Sequence, residues 1–300
     1  MRKPINNILC ATDFSKLSEQ VVSYGIALAK EFNAKLTVCH VVDFPTVSMY
    51  GEAVLEPIDH QNRFMEYARA EIDRLVSGSS IDYHAMVAVG NTIDEITHLV
   101  DEQQADLVIV ATHGRSGLKR FFLGSVTERL MRILPCPLLV LRSETEDAVS
   151  GIQKFPFKRI LVGCDFSSDS DLAFEHSLSM AQEFESELHL VHVVEPSGYK
   201  DLFNMSAEHG DKFKQDLYDM ITAKLKAMVP PDAMNWLSLQ THLVVGKPYA
   251  ELVRYAQMND IDLIALGIRG HGMVEDLLVG STTDRVIRQA PCPVLSVCSA

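Results

Sequence analysis

Three things are scarce in this 300-residue chain: runs of cations, paired cysteines and long apolar stretches. The net charge is −13, with 27 Lys+Arg against 40 Asp+Glu and no basic run. Each phosphate contact needs a local cation, so nonspecific binding to nucleic acid or to an anionic membrane is not expected. The apolar stretches are only strand-length, well short of the roughly 20 residues of a membrane helix, and the N-terminus enters a strand pattern without an apolar leader. The expected location is the cytoplasm. Six cysteines, at 10, 39, 136, 164, 292 and 298, show no C-x-x-C spacing and mostly sit in or beside strand patterns, which reads as reduced, half-buried thiols. No His/Cys/Asp cluster has metal-ligand spacing. A Walker loop, a G-x-G-x-x-G fingerprint and an S-G-G-x-D-S-like loop are all absent.

What the chain does contain is itself, twice. Residues 7–15 (NILCATDFS) return as residues 159–167 (RILVGCDFS) at an offset of 152, and 38–42 (VCHVV) return as 190–194 (LVHVV). Gly90 matches Gly246, and Pro135-Cys-Pro137 matches Pro291-Cys-Pro293, at an offset of 156. The second copy thus carries four extra residues between its second strand and Gly246. Two copies of about 140 residues each have the size of single domains rather than of short repeats. Both are mildly acidic, 14 Lys+Arg against 20 Asp+Glu in residues 1–150 and 13 against 20 in residues 151–300. Residues 143–156 have neither helical nor strand periodicity and form the expected linker, which could reach about 45 Å extended. The expected domains are 1–142 and 157–300.

Within each copy, strand and helix patterns alternate through five strands. In the first copy the strands are expected at 8–11, 36–42, 83–89, 107–110 and 138–141. The helices between them start at a Ser15 or Ser18 cap, span Phe64–Leu75, start at a Thr92 cap, and span Ser125–Leu134. The second copy repeats the strands near 160–163, 188–194, 239–245, 262–266 and 294–298. Continuous apolar strands separated by helices imply an α/β fold, a parallel sheet covered on both faces.

One glycine spacing follows the fourth strand. Gly267, Gly270, nine residues, then Gly280-Ser281 stand between a buried-strand pattern and a helix. Glycine admits close backbone approach, and the first-turn N–H groups of the helix have no intrahelical partner, so a phosphate-sized pocket is expected there. The first copy has Gly114, nine residues, then Gly124-Ser125, with Ala111 in the place of Gly267. Asp13 and Asp165, each followed by Phe-Ser, leave the first strand of their copies, where helix capping is the alternative to a ligand role. His40 and His192 stand at strand ends and read as hydrogen-bonded structural residues.

With Asp165 and the G-x-x-G-x9-G-S loop in the second copy, and the partial match in the first, the chain resembles a tandem member of the universal stress protein family over nearly its full length. The resemblance implies two five-stranded, doubly wound sheets of order 3-2-1-4-5 and an ATP site where strand order reverses, between strands one and four. The implied contacts in the second half are Cys164, Asp165, Val193, Leu266, Gly267, Gly270, Gly280, Ser281 and Thr282. In the first they are Ala11, Asp13, Val41, Ala111, Gly114, Gly124, Ser125 and Val126. The Asp would accept from nucleoside hydroxyl or amino groups, backbone near Val193 would pair with the adenine edge, and the Gly/Ser/Thr set would meet phosphates. Magnesium or manganese would enter with the triphosphate, held chiefly by it. Weaker binding is expected in the first half because the Cβ of Ala111 crowds the backbone. The charged loop residues His113, Arg115, Lys119, Arg120, Arg269 and His271, with Glu275 and Asp276, would bias the first site toward anions if they face the phosphates.

The expected role is nucleotide-dependent conformation or interaction in stress regulation. The alternatives are a slow ATPase or a nucleotide-free dimerisation scaffold; the regulatory partner is unspecified and a homodimer is compatible. The resemblance also implies that the fifth strands, edges with unpaired backbone groups, pair within the chain as a pseudo-dimer. Leu139→Pro or Leu295→Pro would remove a backbone donor from the fifth strand and is expected to loosen that pairing. After proteolytic cleavage in residues 143–156, the parent halves should co-elute in size-exclusion chromatography and the variant halves should separate; parent halves that elute apart refute the pairing.

Overall fold

The computed structural model describes residues 3–43, 57–112, 123–142, 156–195, 207–270 and 279–299. The chain divides into two compact units, residues 4–152 and residues 153–300 with 1–3. In the first unit the order is β1 (Asn7–Ala11), α1 (Lys16–Phe32), β2 (Lys35–Val42), α2 (Pro57–Val76), β3 (Tyr83–Val89), α3 (Thr92–Glu102), β4 (Leu107–Ala111), α4 (Ser125–Ile133) and β5 (Leu138–Leu141). In the second it is β6 (Arg159–Gly163), α5 (Ser168–Phe184), β7 (Glu187–Val194), α6 (Ala207–Ala227), β8 (Ser238–Val245), α7 (Pro248–Met258), β9 (Leu263–Gly267), α8 (Ser281–Gln289) and β10 (Val294–Val297), with a 3₁₀ turn at Ala233–Asn235. The strands run β3-β2-β1-β4-β5 and β8-β7-β6-β9-β10, all parallel within each unit, which is the expected 3-2-1-4-5 order twice.

The central strands are buried because helices cover both of their faces. Ile8, Leu9 and Cys10 of β1, and Ile160, Leu161 and Val162 of β6, are all at most 1% exposed. Each such Leu or Ile contributes roughly 1.5–3 kcal/mol through burial. The helix α1 turns Val21, Val22, Gly25, Leu28 and Ala29 inward. It lies so close to β1 that a Cβ on Gly25 would stand 2.2 Å from Cys10 Sγ. At the amino ends of the strands, Asp106 Oδ2 accepts from the N–H groups of Asn6 (2.8 Å) and Asn7 (2.9 Å). Asp262 Oδ2 does the same for Lys158 (2.9 Å) and Arg159 (3.0 Å). Each carboxylate pins the entry of the first strand against the fourth.

The structure resolves or changes several local expectations. Ser15, not Ser18, caps α1: its backbone is extended and its side chain accepts from Ser18 N, while the Ser18 hydroxyl turns back to Ser15 O at 2.9 Å. Thr92 is not the cap of α3. Asn91 is, its Oδ1 accepting from Ile93 N (3.0 Å) and Asp94 N (3.3 Å), because an Asx side chain reaches those orphan donors from one residue earlier. The helix expected at Phe64–Leu75 begins at Pro57; proline's fixed φ suits a first turn, and apolar periodicity starts only later.

The second unit buries a histidine that the first lacks. His189 on β7 is 2% exposed. Its Nδ1 lies 2.8 Å from the Tyr255 hydroxyl and its Nε2 3.5 Å from Glu187 Oε2, and the His242 ring stacks 6.3 Å away. Burial lowers the His189 pKa below its ordinary 6.5, with Glu187 only partly opposing it. As pH falls below 6.5 the unfolded chain binds a proton that the folded chain resists, so stability contributed by neutral His189 is lost, by at most about 1.4 kcal/mol per pH unit. Urea unfolding of the parent should show this loss between pH 7.5 and 5.5, and His189→Thr, the residue at position 37 of the first unit, should make it shallower, His192 and His242 supplying the remainder. Parallel pH profiles for parent and variant would refute the assignment.

Candidate functional site

In both units the chain leaves its first strand through an Asp-Phe-Ser turn. Phe14 and Phe166 sit at φ 61° and 64°, a left-handed conformation that costs a bulky residue roughly 1–2 kcal/mol. Packing holds each one there. The Phe14 ring lies 4.4 Å from His40 and the Phe166 ring 4.9 Å from His192. Each histidine donates from Nδ1 to the carbonyl before the Asp, Thr12 O at 2.8 Å or Cys164 O at 2.6 Å. Burial lowers the His192 pKa, so the ring is neutral with its proton committed to that carbonyl. Both histidines are thus structural, as expected. The capping alternative for the Asp falls to its neighbour: Ser15 and Ser167 cap α1 and α5, while Asp13 Oδ1 and Asp165 Oδ1 accept from the N–H groups of those serines at 3.1 and 3.0 Å.

The opposite wall is the start of α4 or α8. Gly124 N donates to Thr112 O (2.8 Å) and Gly280 N to Ile268 O (2.9 Å). Thr127 Oγ1 donates to Ala111 O (2.8 Å) and Thr283 Oγ1 to Gly267 O (2.7 Å), tying each helix to the end of the fourth strand. Glycine is the N-cap of both helices, and neither has a side-chain cap hydrogen bond. The first-turn N–H groups and the positive end of the helix dipole therefore face the space beside the strand ends.

Backbone direction supplies a third wall. Thr12 N donates to Cys39 O and Cys164 N to Val191 O, both at 2.9 Å, so residues 39 and 191 aim their main-chain groups toward the first strand. Val42 O and Val194 O instead accept from Gly90 N and Gly246 N on the other side. By alternation along a parallel ladder, Val41 and Val193 aim N–H and C=O the same way as residues 39 and 191, past the end of the first strand.

These walls enclose a cavity of about 350 Å³ in the first unit and about 370 Å³ in the second. Ala11, Asp13, Val41, Ala111, Gly124, Ser125 and Val126 line the first. Cys164, Asp165, Val193, Leu266, Gly267, Gly270, Gly280, Ser281 and Thr282 line the second. Every expected contact residue that the structure describes is thereby brought to a cavity; Gly114 lies outside the described residues, as do His113, Arg115, Lys119, Arg120, His271, Glu275 and Asp276. Sequence reasoning missed Thr127 and Thr283, although the 156-residue offset pairs them, and also Thr12, Ser18, Ser170 and Glu195. Among the described residues no three His, Cys, Asp or Glu side chains gather as metal ligands, and no helix is long and apolar enough to cross a membrane.

Two expectations change. A Cβ on Gly267 would stand 2.7 Å from backbone and Cβ atoms of Asp169 and from Ser170 N, so the missing side chain makes room for the start of α5, while the residue itself lines the cavity. Arg269 is not a phosphate-facing charge. Its guanidinium pairs with Asp169 Oδ2 at 3.1 Å and donates to the carbonyl and hydroxyl oxygens of Ser299, because a carboxylate that is 1% exposed needs a partner.

The Universal stress protein family model matches residues 4–142 and again 156–297. A universal stress protein of Methanocaldococcus jannaschii is 32% identical over 142 residues, 47% of this chain and 84% of that protein. A Staphylococcus aureus relative of the same description is 31% identical over 140 residues, 46% of this chain and 84% of its own length. The crystal structure of a universal stress protein from Archaeoglobus fulgidus has the same fold, with a TM-score of 0.73 at 24% identity, covering 99% of this chain and 100% of that one. Matched twice along its length, the chain belongs to the universal stress protein family as a tandem-domain member.

Proposed function

We propose that each unit binds adenine nucleotide, ATP in the first instance, and that binding changes the conformation or interactions of the protein in a stress response. The observation that carries this reading is the meeting, in one cavity, of a glycine-capped helix start and a strand edge with exposed donor and acceptor directions. The helix start suits phosphate. A neighbouring N–H and C=O at Val41 or Val193 suits the donor and acceptor edge of adenine. Between them, the Asp13 or Asp165 carboxylate can accept from ribose hydroxyls. Cavities of about 350 and 370 Å³ fall within the size of small-molecule sites. Magnesium or manganese would arrive with the triphosphate and be held chiefly by its oxygens.

The chemistry on hand favours binding over turnover. Asp13 and Asp165 spend an oxygen on the Asp-Phe-Ser turn, and the His40 and His192 protons go to main-chain carbonyls. General-base attack by water requires a side chain within hydrogen-bond reach of that water, and these groups have other work. ATP hydrolysis by the purified protein should therefore run below about 1 s⁻¹; faster turnover would make it an enzyme of ordinary speed.

Binding itself is tested by mass spectrometry of nucleotide released from freshly purified protein and by calorimetry with ATP. Gly280→Val places a branched side chain at the mouth of α8, and Ser281→Ala removes one hydroxyl while leaving the backbone free to fold. Weakening of about tenfold or more is expected for the first and less for the second, each tenfold being 1.4 kcal/mol. Equal affinity of parent and Gly280→Val would refute the phosphate position. Absence of any bound or titratable nucleotide would favour the scaffold alternative.

A further inference from the structure

The two cavities are built from corresponding walls, and among the described residues the second has a charged lock behind it that the first does not show. Asp169, in the first turn of α5, accepts from Arg269 N at 2.9 Å, Arg269 Nε at 3.1 Å, Ser299 N at 2.8 Å and Ser299 Oγ at 2.6 Å. Burial alone would raise its pKa; hydrogen bonds from Arg269 and Ser299 outweigh that and hold it below the ordinary carboxylate value, so it is ionised. Arg269 lies between Gly267 and Gly270, at the start of the segment that leads to the phosphate-facing helix. From there the contacts run on toward the cavity. The Ser167 hydroxyl lies 3.1 Å from Arg269 O and 2.6 Å from Asp165 Oδ1. The other oxygen of Asp165 packs over Gly270, where a Cβ would approach it to 2.7 Å.

The sequence of the first unit shows this lock to be a separate feature from the fold. Leu17 stands at the position of Asp169 and Ala111 at that of Gly267. A leucine accepts no hydrogen bond, and where α5 presses on the strand end through its Asp, only glycine fits beneath it. Asp169 and Gly267 are thus two halves of one local solution.

We propose that Asp169 is a positioning residue of the second nucleotide site, fixing Arg269 and through it Ser167, Asp165 and residues 267–270 in the binding geometry before ligand arrives. The proposal rests on the ATP reading above. A site ordered in advance spends less of its interaction free energy on ordering, so the lock raises affinity without touching ligand.

The test uses the full chain with the first cavity filled by Ser125→Phe, comparing parent, Asp169→Asn, Asp165→Ala and the double variant by calorimetry with ATP. Asp169→Asn should weaken ATP binding about tenfold alone and less than about twofold in the Asp165→Ala background, because contacts in one chain are not additive. Arg269→Lys, which keeps the charge but loses the fork, should fall between parent and Asp169→Asn. Unchanged affinity with a lowered melting temperature would show Asp169 to be structural only, and additive losses would show that it does not act through Asp165; either overturns the proposal. Hydrogen exchange in the ligand-free chain gives an independent reading: the amides of residues 268–270 should be protected in the parent and exchange faster in Asp169→Asn. Unchanged exchange overturns the lock even if ATP binds, whereas faster exchange in Asp169→Asn, when the parent binds no ATP, upholds the lock and sinks the nucleotide reading instead.

Discussion

Asp106 and Asp262 each accept two main-chain N–H groups at the entry to β1 or β6. The first strand of each unit must pair on one side with the second strand and on the other with the fourth, and its register against both is set at this end. Everything at the far end follows from it. Ile8 then stands opposite both Leu36 and Leu107, and Ile160 opposite both Leu188 and Leu263. The strands end in step, the helices after the first and fourth strands start side by side, and a cavity opens between them. A one-residue slip would exchange the residues that face the two helix layers and put the strand ends out of step, closing that space.

The frame was legible because it depends on patterns a chain cannot hide. Five apolar runs at helical distances, repeated at offsets of 152 and 156, specify strand number, order of elements and both cavities. The family resemblance then supplied the sheet order, which periodicity alone does not. Less visible was anything decided by a side chain one residue away. Asn91 rather than Thr92 caps α3 because Asx reach, not helix periodicity, selects the cap. The tie of Thr127 and Thr283 to the fourth strand depends on a hydroxyl meeting a carbonyl 16 residues earlier.

Gly267 shows a different kind of limit. It was read as a demand for space beside a ligand, and the structure adds a second occupant on its Cβ side, since sequence cannot say from which side a neighbour comes. The neighbour is the first turn of α5, and its arrival is bound up with the Asp169–Arg269 pair, for whose carboxylate the first unit has Leu17. Likewise, Arg269 in a phosphate-type loop invites a ligand role until Asp169, a hundred residues away, is seen to occupy it.

Both Asp-Phe-Ser turns hold a phenylalanine where glycine would rest without strain. Glycine or asparagine would relieve that backbone strain, and a redesign guided by backbone conformation alone would choose them. Such variants would lose the ring that stacks on His40 or His192, and with it the support under the carbonyl and carboxylate at the cavity rim. Positions 14 and 166 are therefore places where easing the backbone would remove packing and support from the pocket rim together.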